Sequence, residues 1–123
     1  MNPLVIKKTH DTPGIILDPE LNLYEISHRS LPEDANTFYE PVFKWITEFM
    51  ESPSPSVEFV FNLEYFNTAS AKQIAKLLLY LDKLSQKTSV TILWKFKKDD
   101  SDMQSAGNRY AKLLNVKFLV QEV

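Results

Sequence analysis

Cysteine is absent from this chain of 123 residues, and glycine occurs only twice, at Gly14 and Gly107. Without thiols there is neither a disulfide framework nor a thiolate zinc site, which fits a reducing cytosol. Two glycines cannot build a phosphate-cradling loop of the G-x-G-x-x-G or Walker type. Histidine is as scarce: His10 and His28 fall in the predicted strand region with no metal-ligand spacing around them. No Cys–His pair, no H-E-x-x-H and no nucleophile elbow is present, so no catalytic set and no cofactor is expected. Long apolar runs are missing too. None approaches the roughly 20 residues that cross a bilayer, and "MNPLVIKKTHDTPG" places its lysines after a short apolar run, the wrong order for a signal peptide.

No charge of one sign dominates. Fourteen basic and sixteen acidic residues leave a net charge of -2, too close to neutral to gather nucleic acid. The local cluster "WKFKKDD" interleaves Lys95, Lys97 and Lys98 with Trp94 and Phe96. Period-two alternation puts the two aromatics on one strand face and Lys95 and Lys97 on the other, so the cluster reads as a solvated strand end. An RNA platform would want its aromatics exposed. The run "DDSD", Asp99 to Asp102, lacks the glycine and final glutamate of a calcium loop. Acidic residues at a helix start are favoured by its dipole, and these read as caps.

What is present is an ordinary globular composition, 44% hydrophobic and 24% charged, in one domain over residues 1–123 with enough chain for a core. "LVIKKT" reads as a short strand. Ile15 to Leu17 and Leu21 to Ile26 flank Asp18-Pro19-Glu20 as a hairpin. In "LPEDANTFYEPVFKWITEFMES", Phe38, Val42, Trp45, Ile46, Phe49 and Met50 recur at helical spacing and read as core. Asp34, Asn36 and Thr37 are all plausible caps there. Pro41 is best tolerated in a first turn, which predicts regular helix only from near Tyr39. "SPSPS" ends that helix.

The remainder alternates regularly. "VEFVFNLEYF" is a strand, and Thr68 to Leu84 a helix with a stripe through Ala71, Ile74, Ala75, Leu78, Leu81 and Leu84. "SVTILWKF" is a strand, "DDSDMQSAGNRYAKLLN" a helix and "VKFLVQEV" a final strand. This order predicts an α/β fold: a mixed sheet with an N-terminal hairpin, parallel C-terminal strands and helices packed against it.

The junction "FNTAS" separates the long strand from its helix. Either Asn67 or Thr68 can accept a bond from an orphan helix amide. Asn67 is the better cap: it places Ser70 three residues in, whereas Thr68 would place Ala71 there. Thr68 then becomes the first helical residue with its hydroxyl toward solvent. Free amides and the positive end of the helix dipole also suit a phosphate, which adds about -1.5 to -2 charges. A surface cap and a phosphorylation switch are both consistent with this spacing.

Hydrophobic strand, hydroxyl pair and amphipathic helix together resemble the STAS-type anti-sigma factor antagonists. The chain resembles the SiaC-like regulatory phosphoproteins more closely, through "TPGIILD", "LPEDANTFYEPVFKWITEFM", "LEYFNTASAKQIAKLL" and "VTILWKF". That resemblance runs from about Thr12 to the last strand. It implies a STAS-like fold, reversible phosphorylation of Thr68, and partner binding around Asn67, Thr68 and Ser70. It further implies a serine/threonine kinase of the histidine-kinase-like ATPase type and a PP2C-type phosphatase. The unmodified form would bind and activate a diguanylate cyclase, raising cyclic-di-GMP and favouring biofilm or aggregation. Ala69 stands where the family commonly has a second hydroxyl. The turn is also shorter than in the antagonists and lacks the glycine that usually follows their phosphosite. A sigma-factor type of partner switch is the alternative within this class. From another class comes a small enzyme or ligand carrier with a cleft at the strands' C-terminal ends, for which only Glu64 and Asp82 offer carboxylates near the second helix.

Overall fold

A computed structural model describes all residues, 1–123. Six strands form one sheet in sequential order: β1 (Leu4–Ile6), β2 (Gly14–Asp18), β3 (Leu23–Ser30), β4 (Ser56–Phe66), β5 (Ser89–Phe96) and β6 (Lys117–Glu122). The first two pairings are antiparallel and the last three parallel. A short loop suffices to join β2 to β3. Each parallel pair instead needs a crossover, supplied by α1 (Ala35–Phe49), α2 (Thr68–Leu84) and α3 (Ser101–Leu113).

Strand periodicity decides where the helices lie. In β4, Val57, Phe59, Phe61 and Leu63 are buried while Glu58, Asn62 and Glu64 are exposed. In β5, Val90, Ile92, Trp94 and Phe96 are buried on the same side. These residues join Val42, Ile46 and Phe49 of α1, Ile74, Leu78 and Leu81 of α2, and Met103 and Ala106 of α3 in one core cluster. The helices therefore cover one face, and the opposite face carries a mixed row of polar and half-buried apolar side chains. Lys95 and Lys97 lie on that opposite side, away from the buried Trp94 and Phe96, as alternation requires.

Three local expectations are corrected. Helix α1 begins at Ala35, so Pro41 lies inside the helix and not in its first turn. Asp34 explains the earlier start: its carboxylate accepts from the Thr37 N–H at 3.1 Å and the Thr37 hydroxyl at 2.8 Å. These bonds hold its carboxyl below the usual carboxylate range, the backbone bond contributing most. Leu21 belongs to the β2–β3 turn, where Asn22 adopts φ 51°, and is exposed. His10 lies in the loop before β2, and only His28 is in a strand.

His28 marks an irregularity in the sheet. Its φ is 80°, and the β3–β4 register shifts there from His28↔Leu63 to Arg29↔Tyr65. Glu64 is the extra residue of this bulge. After it, Ser30 pairs with Phe66 and both approach the helix side. Without the shift, Tyr65 would occupy that register.

Gly107 in α3 is needed for a steric reason. A Cβ there would stand 2.4 Å from Trp94 Cδ1 and 2.9 Å from Trp94 Nε1. The indole cannot retreat, because Phe61, Tyr110 and Phe118 pack around it and its Nε1–H donates to the Met103 carbonyl at 3.0 Å. Gly107→Ala should lower stability by roughly 1–3 kcal/mol despite the better helix propensity of alanine. Urea unfolding checks this; an unchanged or raised midpoint would show that the ring can move aside.

Candidate functional site

The β4–α2 junction is built by its cap. Asn67 has extended backbone and its side chain accepts from the Ser70 N–H at 2.8 Å, while its carbonyl accepts from the Ala71 N–H at 2.9 Å. Thr68 is thereby the first helical residue and is exposed, its hydroxyl bonded to no protein group. The cap and the bounds Thr68–Leu84 agree with the sequence reading. The N–H groups of Thr68 and Ala69 are left over at the positive end of the helix.

Ser70 differs sharply. It is 0% exposed, so no partner side chain can reach it in this conformation. Its hydroxyl donates to the Ser30 carbonyl at 3.0 Å and accepts from the Ser30 hydroxyl at 2.8 Å. With the Ser30 proton committed to Ser70, the 2.7 Å contact between Ser30 Oγ and the Tyr39 phenol is donated by Tyr39. The Ser30 carbonyl also accepts from the Asn67 N–H at 3.1 Å. A chain of bonds thus runs from α1 through β3 to the first turn of α2. Burial pushes the Tyr39 phenol up to about 12 against the opposing effect of its Ser30 bond. It therefore stays a neutral donor at physiological pH.

Ser30 and Tyr39 were not among the expected site residues. They lie 40 and 31 positions from Ser70 in the chain, so no local spacing links them. The one available signal is chemical: a buried serine and a buried tyrosine each need a partner for their polar tip.

Around the junction the two helix starts lie side by side. The Gln73 side-chain amide donates to Asn36 Oδ1 at 2.6 Å, and Glu33, Asp34, Ala69 and Lys72 line the shallow cleft between them. The carboxylates considered for acid–base chemistry are placed elsewhere. Asp82 Oδ1 accepts from the N–H groups of Asn115 and Val116, fastening the α3–β6 turn to α2. Glu64 sits in the bulge, 3.9 Å from His28 Nδ1. Asp100, within the DDSD run, caps α3 by accepting from the Met103 N–H.

An exposed threonine on a pinned helix start has the geometry of a modifiable surface hydroxyl. The family described as "SiaC family regulatory phosphoprotein" matches residues 6–123. The chain belongs to the SiaC family. A protein of Pseudomonas aeruginosa strain UCBPP-PA14 is 23% identical over 122 residues, which are 98% of this chain and 97% of the relative. Among solved structures the SiaC-family chain is similar to SiaC of P. aeruginosa, with a TM-score of 0.89 at 22% identity and 100% of both chains covered. It is also similar to a chain of the crystal structure of the diguanylate cyclase SiaD in complex with its activator SiaC, also from P. aeruginosa. There the TM-score is 0.90 at 22% identity, with 98% of this chain and 99% of the other covered. These likenesses establish the fold: a mixed α/β sheet with three helices, as the element order implied.

The geometry separates the two hydroxyls of the junction. Ser70→Ala deletes a donor and an acceptor from a buried network and should cost about 1–3 kcal/mol. Thr68→Ala and Thr68→Asp should both stay within about 0.5 kcal/mol of wild type, as surface changes do. Thermal or urea unfolding of the three variants measures the difference. A large loss from either Thr68 variant would place that side chain in the packing.

Proposed function

We propose that this SiaC-family chain is a non-catalytic activator of a diguanylate cyclase, and that phosphorylation of Thr68 turns it off. One observation carries the choice of residue: of the two hydroxyls flanking the first turn of α2, Thr68 is exposed and unbonded, whereas Ser70 is buried in the Ser30–Tyr39 network. A kinase must bring its nucleotide up to the acceptor oxygen, and only Thr68 offers one without unfolding the helix start.

The direction of control follows from the charge. The fold accommodates a phosphate at Thr68, where leftover amides and the helix dipole favour it. A partner lying over that turn must desolvate the dianion, at a cost of several kcal/mol unless it supplies matching cations. The unmodified protein is thus the binding form. Family membership supports the regulatory role, and the similar P. aeruginosa SiaC is the activator of SiaD. In this reading the modifying enzyme is a serine/threonine kinase of the histidine-kinase-like ATPase type and the reversing enzyme a PP2C-type phosphatase, all acting in the cytoplasm. Asn67 orients the acceptor, and Ser70 acts by holding the turn in place.

Two measurements test this. Incubation with a serine/threonine kinase of the histidine-kinase-like ATPase type from the same organism should label wild type and leave Thr68→Ala unlabelled; label retained by the alanine variant rules Thr68 out. Titration against the diguanylate cyclase of the same genome, read as cyclic-di-GMP synthesis, should show Thr68→Ala activating like wild type. The phosphorylated protein should bind at least tenfold more weakly, about 1.4 kcal/mol. Equal or tighter binding by the phosphorylated form would reverse the proposed control.

A further inference from the structure

The exposed ridge of α2 carries a pattern that capping does not require. At about 100° per residue, Thr68, Lys72, Lys76, Leu79 and Lys83 fall within an arc of about 80° on the helix surface. All five are exposed. None of the three lysines has a carboxylate within ion-pair distance; the chain's only ion pairs are His10–Asp11, His28–Glu64 and Lys44–Glu40. The one acid of α2, Asp82, is occupied by the Asn115 and Val116 amides. Lys76 is held by the aromatic side chains of Phe43 and Tyr80, its Nζ 4.4 Å from the Phe43 ring centre. Leu79 stands in this basic row 56% exposed, a large apolar side chain with nothing over it. The neighbouring helix is acidic on balance: Glu40 and Glu48 are exposed on α1 with Lys44 paired to Glu40, and Glu51 lies just beyond it.

We infer that this ridge is the docking surface for the cyclase, and that the cyclase meets it with an acidic surface carrying an apolar residue opposite Leu79. The inference rests on the function proposed above and adds the chemistry of the partner. Unpaired lysines on one side of a helix attract carboxylates, and an exposed leucine among them provides the contact that area burial rewards. Thr68 stands at the N-terminal end of the same ridge, with Lys72 one turn away at i+4. A phosphate on Thr68 therefore acts twice. It pairs with Lys72 within the chain, removing a cation from the partner, and it repels the partner's own carboxylates.

A second copy of this chain is the competing occupant, since its acidic α1 could lie on the basic ridge of α2. The observations favour a separate partner. Apart from Leu79, the two ridges expose no large apolar residue to support a stable pair of copies. The placement of Thr68 also ties the ridge to the switch.

The test compares two double reversals in the cyclase activation assay. Lys72→Glu with Lys83→Glu should weaken binding at least tenfold, while Glu40→Lys with Glu48→Lys on α1 should stay within about twofold of wild type. Wild-type affinity should fall with added salt, and the lysine-reversed protein should lose that dependence. Unfolding midpoints confirm that the variants are folded, and Lys72→Ala with Lys83→Ala gives a milder version with the same direction. Unchanged activation by the lysine-reversed protein, with phosphorylation still inhibitory, overturns the ridge and leaves the switch standing. Failure of the wild type to bind the cyclase overturns both. Sedimentation separates the competing occupant: if the lysine reversal dissociates a homodimer, the ridge joins copies of this chain and the inference is wrong.

Discussion

The fold depends at its working end on one buried carbonyl. The Ser30 C=O accepts from the Asn67 N–H and from the Ser70 hydroxyl, and Ser30 Oγ links Ser70 to Tyr39. In a low-dielectric interior an unmet member of such a chain costs more than the bonds return, so the network is held complete or not at all. Completeness fixes where β4 ends and where α2 begins. It also decides which hydroxyl faces inward, leaving Thr68 as the one that faces out.

The sheet bulge serves the same end. The extra residue Glu64 shifts the inward phase of β4 from Phe61 and Leu63 to Phe66, so that Phe66 lies opposite Ser30 and packs edge-on against Trp94 at 6.2 Å. The left-handed backbone of His28 is the local cost. A parallel pair continued in plain register would not bring Ser30 opposite Phe66. The first turn of α2 would then lose its anchor.

Much of this was readable from the chain, and the part that was not has a common cause. The cap at Asn67, the first helical position of Thr68 and the bounds of α2 follow from contacts within three or four residues, which spacing captures. The parallel order of β3 to β6 follows from alternating strand and helix. At the start of α1, Pro41 argues for a late beginning, while Asp34, bonded twice to Thr37, secures an early one. The burial of Ser70 was out of reach. Its partners are supplied by β3 and α1, and only the assembled sheet brings them together. The serine expected at the partner-binding surface is thus the anchor of the turn.

In this account the phosphate changes what the surface offers and leaves the helix start intact. Hydrogen exchange at the Ser70 and Ala71 amides tests that claim most directly, since both are bonded to Asn67. Protein phosphorylated at Thr68 should show equal or slower exchange at these two positions than the unmodified protein. Faster exchange there would mean that the phosphate unfolds the first turn, and that the switch works by breaking the Ser30–Ser70 anchor.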